Sequence, residues 1–513
     1  MTDETTTSPD QEPSITTSGW SSAPEPISID LGRGGRRGFY LPEPDVGQIE
    51  PAIPANLMRT TVPAWPEMSE SEVVRHFIRL SIKNHHVDKN LYPLGSCTMK
   101  YNPKVCEVMA RLPGMVDLHP LQDDVSMQGA LALMWKLEQL LAAISGFEAV
   151  SLQPAAGAQG ELAGLMMIRA YHEANGEDER RKRVLLPDSA HGTNPASVTL
   201  NGFTSHELKS NDEGRVDLDE LKASLGDDVA AIMITNPNTL GLFESDIDRI
   251  CELVHEAGGL VYMDGANLNA LLGIIEPGAV GIDVMHFNLH KTFGTPHGGG
   301  GPGAGPIGVV GLLEPFLPVP RIIRKKNPEA EGDFVYGRDW DRPQSIGKVH
   351  GHYGNFGVMV RAYCYILALG REGLADVSRA AVINANYLMH QLLEDYDLPY
   401  AGPCMHEFVL SGSRQKTKYG VATTDIAKRL LDFGFYAPTV YFPLIVPEAL
   451  MIEPTETETR ETLDSFARAL QQIAREAAEE PLKVRGAPYN TPVCRPDEAL
   501  AAKFPDLRWR RES

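Results

Sequence analysis

Between residues 150 and 312, short apolar runs alternate with helical or turn-rich stretches. The runs lie at 184–186, 230–235, 260–263, 284–289 and 307–312. Neighbouring parallel strands cannot be joined by a tight turn and need a long crossover, usually a helix. Runs of this length at this spacing therefore predict an α/β fold, with crossover helices covering the sheet. Such sheets place ligands at the carboxyl ends of their strands.

The flanking sequence is patterned differently. Helical periodicity is present near 70–85, 127–145 and 355–395, with a charged, Pro- and Gly-containing stretch over 315–350. A strand is expected at 407–410, then a helix opened by Thr423 and Thr424 with Asp425 in its first turn. An apolar run at 449–452 precedes a helix over 457–479, so a second, smaller α/β unit is expected. The division this predicts is a flexible arm over 1–55, a large domain over 56–350, a small domain over 351–480 and a tail over 481–513. The arm is rich in Ser, Thr, Pro and Glu and carries a small basic cluster from Arg33 to Arg37. Its composition is that of a flexible tail.

Composition narrows the function classes. The chain has 513 residues and a net charge of −21, which argues against nucleic acid or an anionic membrane surface as its main partner. Its six cysteines form no C-x-x-C pair, so a metal-site or disulfide-scaffold reading is weak and reduced thiols in a cytoplasm are expected. The acidic N-terminal residues Asp3, Glu4, Asp10 and Glu12 do not look like a targeting presequence. No apolar run reaches the roughly 18 residues a membrane helix needs.

Three segments carry chemistry. The first, Gln153-Pro154-Ala155-Ala156-Gly157-Ala158-Gln159-Gly160-Glu161, is a small-residue turn running into an apolar helix. Small residues let backbone N–H groups approach a phosphate, and the helix N-terminus adds a positive dipole end. The second, Met263-Asp264-Gly265-Ala266-Asn267, closes an apolar run with a carboxylate. A buried carboxylate is costly without a cationic partner, and a protonated pyridine nitrogen would be one. The third is His286-Phe287-Asn288-Leu289-His290-Lys291-Thr292, followed by a glycine-rich stretch. Lysine is rarely buried without a task, and desolvation beside a cationic ring would make it a usable amine nucleophile. In isolation each segment has an ordinary explanation: a plain connection, a helix-capping Asp, a surface lysine. Their order, phosphate turn, then Asp, then Lys one crossover later, is the order a pyridoxal-phosphate (PLP) site needs. His191, in Ser189-Ala190-His191-Gly192-Thr193, follows another strand run and could stack on the pyridine ring. The G-x-G-x-x-G match at Gly298–Gly303 precedes a strand run rather than opening a helix, so it is a poor nucleotide signal.

At these residues the sequence resembles the P-proteins of the glycine cleavage system, and within them subunit 2 of the two-subunit bacterial form. The resemblance rests on stretches 91–100, 153–160, 188–197, 263–273, 288–308, 345–355 and 451–458. It implies PLP-dependent fold type I, the aspartate-aminotransferase-like architecture, and a glycine dehydrogenase (decarboxylating). Residue by residue, it implies that Lys291 is the Schiff-base lysine, Asp264 the pyridinium partner and His191 the ring-stacking histidine. Ala156, Gly157 and Ala158 match the phosphate turn, with Asn267, His290 and Thr292 further cofactor-binding candidates and no metal. Segment 92–100 is expected near the site without an assigned role. The implied partners are glycine, a lipoylated H-protein and a P-protein subunit 1, two copies of each subunit forming a heterotetramer. The H-protein is itself usually acidic, so docking would need a local basic patch. Another fold type I decarboxylase, or a non-catalytic scaffold subunit, are the alternatives. The first would turn over its amino acid without a lipoylated carrier, and the second would not bind PLP.

Overall fold

The apolar runs become the middle of a seven-stranded sheet. Its strands are β1 (Ala149–Ser151), β2 (Arg183–Pro187), β3 (Thr204–Leu208), β4 (Val229–Thr235), β5 (Leu260–Gly265), β6 (Val284–Phe287) and β7 (Ile307–Val309). Their order is β1-β7-β6-β5-β4-β2-β3. Strands β3, β2, β4, β5 and β6 are parallel, and β7 lies antiparallel between β6 and β1. The computed structural model describes residues 25–43, 45–47, 53–61, 65–298, 303–327 and 334–508. Most of the arm expected over 1–55, and residues 299–302 of the glycine-rich stretch, lie outside that set.

Every residue of β4 and β5 is buried, which is why these strands read as continuous apolar runs rather than alternating ones. Ile232 and Ile234 face a core shared with Leu137 and Leu141 of the Gln128–Ser145 helix and Ile250 and Val254 of the Ile247–Glu256 helix. Ala231 and Met233 face the other way, onto Leu165 and Ile168 of the Gly157–Ala174 helix. Two of the apolar runs extend beyond their strands. The run 284–289 leaves the sheet after Phe287, and Leu289 opens the helical turn Leu289–Thr292. The run 307–312 leaves it after Val309, and Gly311–Phe316 is a 3-10 helix.

A second, antiparallel sheet is built from β10 (Phe408–Ser411), β12 (Ala449–Ile452) and β11 (Thr439–Val440). The helices Thr423–Asp432 and Arg460–Glu479 close a separate core around Leu410, Leu430, Leu450, Phe466 and Leu470. The Phe356–His390 helix serves both cores: Met359, Ala362, Tyr365 and Ile366 pack with the large sheet, Ala385, Leu388 and Met389 with the small one. The backbone is broken between the two sets at Gly370 (φ 62°, ψ −174°). A hairpin of β8 (Arg321–Lys326) and β9 (Phe334–Asp339) fills the charged stretch 315–350. Among the described residues no helix is long and apolar enough to cross a membrane.

Candidate active site

Strands β5 and β6 are parallel neighbours, with Asp264 opposite His286 and Gly265 opposite Phe287. Asp264 therefore sits at the carboxyl end of β5, and the turn carrying Lys291 leaves the same edge of β6. Gly265 permits this approach, since a Cβ there would lie 2.0 Å from the His286 carbonyl oxygen. His191 reaches the same edge from the turn after β2, just before the short helix Asn194–Leu200.

Asp264 is 1 % exposed and fully engaged. Its Oδ1 accepts from the Ala266 N–H (2.9 Å) and lies 3.2 Å from His286 Nε2. Its Oδ2 accepts from Asn194 Nδ2 (3.1 Å) and lies 4.0 Å from His191 Nδ1. Burial alone would raise this carboxyl, but His286, His191, the Asn194 hydrogen bond and the Lys291 charge outweigh it and hold it far below the usual carboxylate range. His191 is pushed down to about 4, chiefly by burial and against the pull of Asp264. It is therefore a neutral imidazole at neutral pH, and its Nε2 is buried without a hydrogen-bond partner.

A second tier of polar groups stands behind Asp264. The Tyr262 hydroxyl and His286 Nδ1 are 2.7 Å apart. Glu161, buried one turn into the Gly157–Ala174 helix, accepts from Thr193 Oγ1 (2.7 Å), Asn194 Nδ2 (3.2 Å) and Ser197 Oγ (2.8 Å). The single Asn194 amide thus joins two buried carboxylates. Sequence reading assigned no role to Glu161, Asn194, His286 or Tyr262. The available signal was a glutamate directly before the apolar stretch 162–168.

The small-residue turn is extended at Ala156 (φ −154°, ψ 160°) and helical from Gly157. The N–H groups of a first helical turn lack partners within the helix, so those of Gly157 and Ala158 are available to an anion. A Cβ on Gly157 would lie 2.4 Å from Asn288 Oδ1. The turn is held from behind: Gln159 accepts the Ala155 N–H (2.6 Å) and donates to the Val349 carbonyl (2.6 Å), while Asn355 donates to the Ala155 carbonyl (3.2 Å). Thr292 Oγ1 and Asn267 Oδ1 are buried and unpartnered. His290 faces the glycine-rich stretch instead, its Nδ1 accepting from the Ala304 N–H (3.2 Å) and its ring standing edge-on to His297.

Segment 94–100 closes the site from the side of the small sheet. It pairs with β12 through Leu94 and Ile452. The Ser96 carbonyl accepts from Lys291 Nζ (2.7 Å). Lys100 is wholly buried and donates to Asn269 Oδ1 (2.8 Å), the Thr292 carbonyl (2.7 Å), the Tyr365 hydroxyl (3.2 Å) and Glu456 Oε1 (2.7 Å). It ties together the site turn, the long helix and the small sheet.

The profile of the glycine cleavage system P-protein matches residues 46–324, more than half of the chain. The chain belongs to the glycine cleavage system P-protein family. The glycine dehydrogenase C-terminal domain profile matches a further segment of this P-protein, 377–485. A relative from Chlorobium phaeobacteroides, titled probable glycine dehydrogenase (decarboxylating) subunit 2, is 59% identical over 481 residues, 93% of this chain and 98% of its own. One of the same title from Halalkalibacterium halodurans is 56% identical over 487 residues, 94% and 98% of the two chains. Among solved structures, an inhibitor-bound glycine decarboxylase (P-protein) superposes with a TM-score of 0.70 at 21% identity, over 82% of this chain and 93% of that one. A Burkholderia pseudomallei sphingosine-1-phosphate lyase superposes with a TM-score of 0.58 at 13% identity, over 83% and 95%. The architecture is fold type I.

Proposed function

We propose that this P-protein decarboxylates glycine with the help of PLP and transfers the remaining aminomethyl group to the lipoyl disulfide of a carrier H-protein. Carbon dioxide leaves, the S–S bond opens, and one sulfur takes the aminomethyl group while the other becomes a thiol. The observation that carries the reading is the meeting of Lys291, Asp264 and His191 at one sheet edge, in a chain so similar to relatives of that title.

The residues present fit the cofactor. Buried polar atoms without partners converge here on His191, Asn194, Asn267 and Thr292, and unsatisfied buried groups in a native site call for a ligand. Gly157 and Ala158 would offer N–H groups to the phosphate, with Thr292 and His290 as further candidates. Asp264, held anionic, would pair with the pyridine nitrogen and keep it protonated, Asn267 would lie beside it, and the neutral His191 ring would lie against the pyridine face. Lys291 is the amine that would hold the aldehyde carbon and yield it to the glycine amine. When bound, PLP supplies an electron sink for the bond to the departing carboxylate. The chain's own residues would orient the substrate carboxylate for departure and keep Lys291 within reach for return. Part of this reading is the division into a large domain over 56–350 and a small one over 351–480, with the site between them. A cytoplasmic location and a companion subunit 1, in a two-plus-two assembly, also belong to it.

Exchange of labelled bicarbonate into the glycine carboxyl tests the reading. Exchange is expected with lipoylated H-protein and the companion subunit present, and is lost in Lys291→Ala. A PLP-loaded protein that gives no exchange with every partner present would reject glycine as the substrate.

A further inference from the structure

Two more carboxylates meet the backbone beside Lys291. Glu407 and Glu453 flank the paired ends of β10 and β12, where Phe408 opposes Ile452. Both are fully buried. Glu407 accepts the Ser96 N–H (2.5 Å) and the Ser96 hydroxyl (2.9 Å). Glu453 accepts the Thr98 N–H (2.8 Å) and the Thr98 hydroxyl (2.6 Å). Each carboxylate thus grips a single residue twice.

The gripped residues are unusual ones. Ser96 and Thr98 have φ of 59° and 46°, left-handed backbone that side chains other than glycine's adopt at a cost. A strained conformation persists where its surroundings over-determine it, and the four hydrogen bonds fall on these two residues. The result is that the Ser96 carbonyl faces Lys291 Nζ. Gly95 sets the approach, because a Cβ there would lie 2.7 Å from the Met451 carbonyl oxygen. Other groups face the pair. Asn267 Nδ2 lies 3.4 Å from Glu407 Oε1, and His406 Nε2 lies 4.0 Å and 3.9 Å from the two carboxylates. Burial and the charge of Glu453 push Glu407 up to about 8, and burial and the charge of Glu456 push Glu453 up to about 7, against the pull of their hydrogen bonds and of Lys291.

We infer that Glu407 is a positioning residue for Lys291: by fixing Ser96 in its left-handed conformation, it presents the Ser96 carbonyl as a seat for the Lys291 amine whenever that amine carries no aldehyde carbon. Glu453 braces the seat one residue further on. A displaced lysine is thereby kept close to the reacting atoms and out of the substrate's space. The importance of the seat for catalysis rests on Lys291 being the cofactor lysine. The seat itself does not.

The test uses the full chain stripped of cofactor. Lys291 is labelled by a brief pulse of acetic anhydride and followed by peptide mass spectrometry. An amine held in the seat is less free to meet the reagent, so Glu407→Ala is expected to raise the labelling rate about tenfold, the effect of losing one hydrogen bond. Glu407→Gln is expected to label at close to the wild-type rate. Its carbonyl can take the Ser96 N–H while its amide donates to the Ser96 hydroxyl. Ser96→Ala removes one grip of two and is expected to fall between. Unchanged labelling in Glu407→Ala, or Glu407→Gln as fast as Glu407→Ala, would overturn the proposal. If Glu407→Ala does not fold, Ser96→Ala decides, and a wild-type rate there is likewise fatal. PLP uptake by wild type and by Lys291→Ala is read separately. Equal uptake by both would reject Lys291 as the cofactor lysine and leave the labelling result standing.

Discussion

Glu161 shows how a residue outside the proposed cofactor contacts can hold a site together. It makes no hydrogen bond to Lys291, Asp264 or His191. Yet it accepts from Thr193, Asn194 and Ser197, and so fixes the turn that carries His191 and the amide that bonds Asp264. Asn194 and Ser197 are buried, and leaving buried donors unpaired costs about 1–3 kcal/mol. Glu161→Ala is therefore expected to weaken PLP binding by about tenfold or more, measured by titrating the stripped protein and following the cofactor's absorbance. An unchanged dissociation constant would show that the turn holds without it. The sequence could not reveal this role. An acidic residue near a helix N-terminus is ordinarily a solvated partner of the helix dipole, and only the fold shows that this one points inward. Asp264 and Lys291 could be proposed from the sequence because each follows a mostly apolar run, where a charge needs a reason. Lys100 was not, because its four acceptors come from segments up to 356 residues away.

Among the elements, legibility followed burial. The central strands announced themselves by apolar runs. Strand β3 did not, being a largely exposed edge strand of sequence Thr-Ser-His-Glu-Leu. The β8–β9 hairpin hid behind its charges. Arg324 looks like a solvated residue, but its guanidinium lies between the rings of Trp135 (4.1 Å) and Phe334 (4.2 Å). The Gln128–Ser145 helix carries the converse case, a charge on its buried side. Glu138 is 4 % exposed, and burial pushes its carboxyl up to about 8 despite the charge of Arg321. A carboxyl that is neutral in the fold and ionised when unfolded binds more protons in the native state. Stability therefore falls as pH rises from the unfolded value, near 4.5, towards 8, by at most about 1.4 kcal/mol per pH unit for one such group. Glu138→Gln should remove this contribution. Urea unfolding at pH 5 and pH 8 is expected to show a smaller loss for the variant than for wild type. An equal loss would mean that Glu138 is ionised in place.

At the scale of the whole molecule, the Glu70–Lys83 helix poses a question of its own stability. Its N-terminus is well made, with the Glu72 carboxylate accepting from the Ser69 N–H (2.9 Å) and the Ser69 hydroxyl (2.9 Å). Its 14 residues bury only His76 among themselves. Val74, Phe77, Ile78 and Ile82 are each half exposed or more, and the first three recur at the i, i+3, i+4 spacing of one helix face. A helix of this length is marginal in water unless an apolar face is covered. The companion subunit proposed above is the expected cover. On the reading proposed above, the helix is an anchor for that subunit, and Phe77, as the large aromatic of the row, is its expected hot spot. The double substitution Phe77→Asp and Ile78→Asp changes no residue of the proposed PLP site. It is expected to weaken association with the companion by about 2 kcal/mol or more, read by sedimentation of the mixed subunits, while PLP uptake by the chain alone is unchanged. Undiminished association of the variant would place the companion elsewhere and leave the helix to be covered by another chain. Loss of both association and PLP uptake would mean that the helix supports the fold of its own chain first.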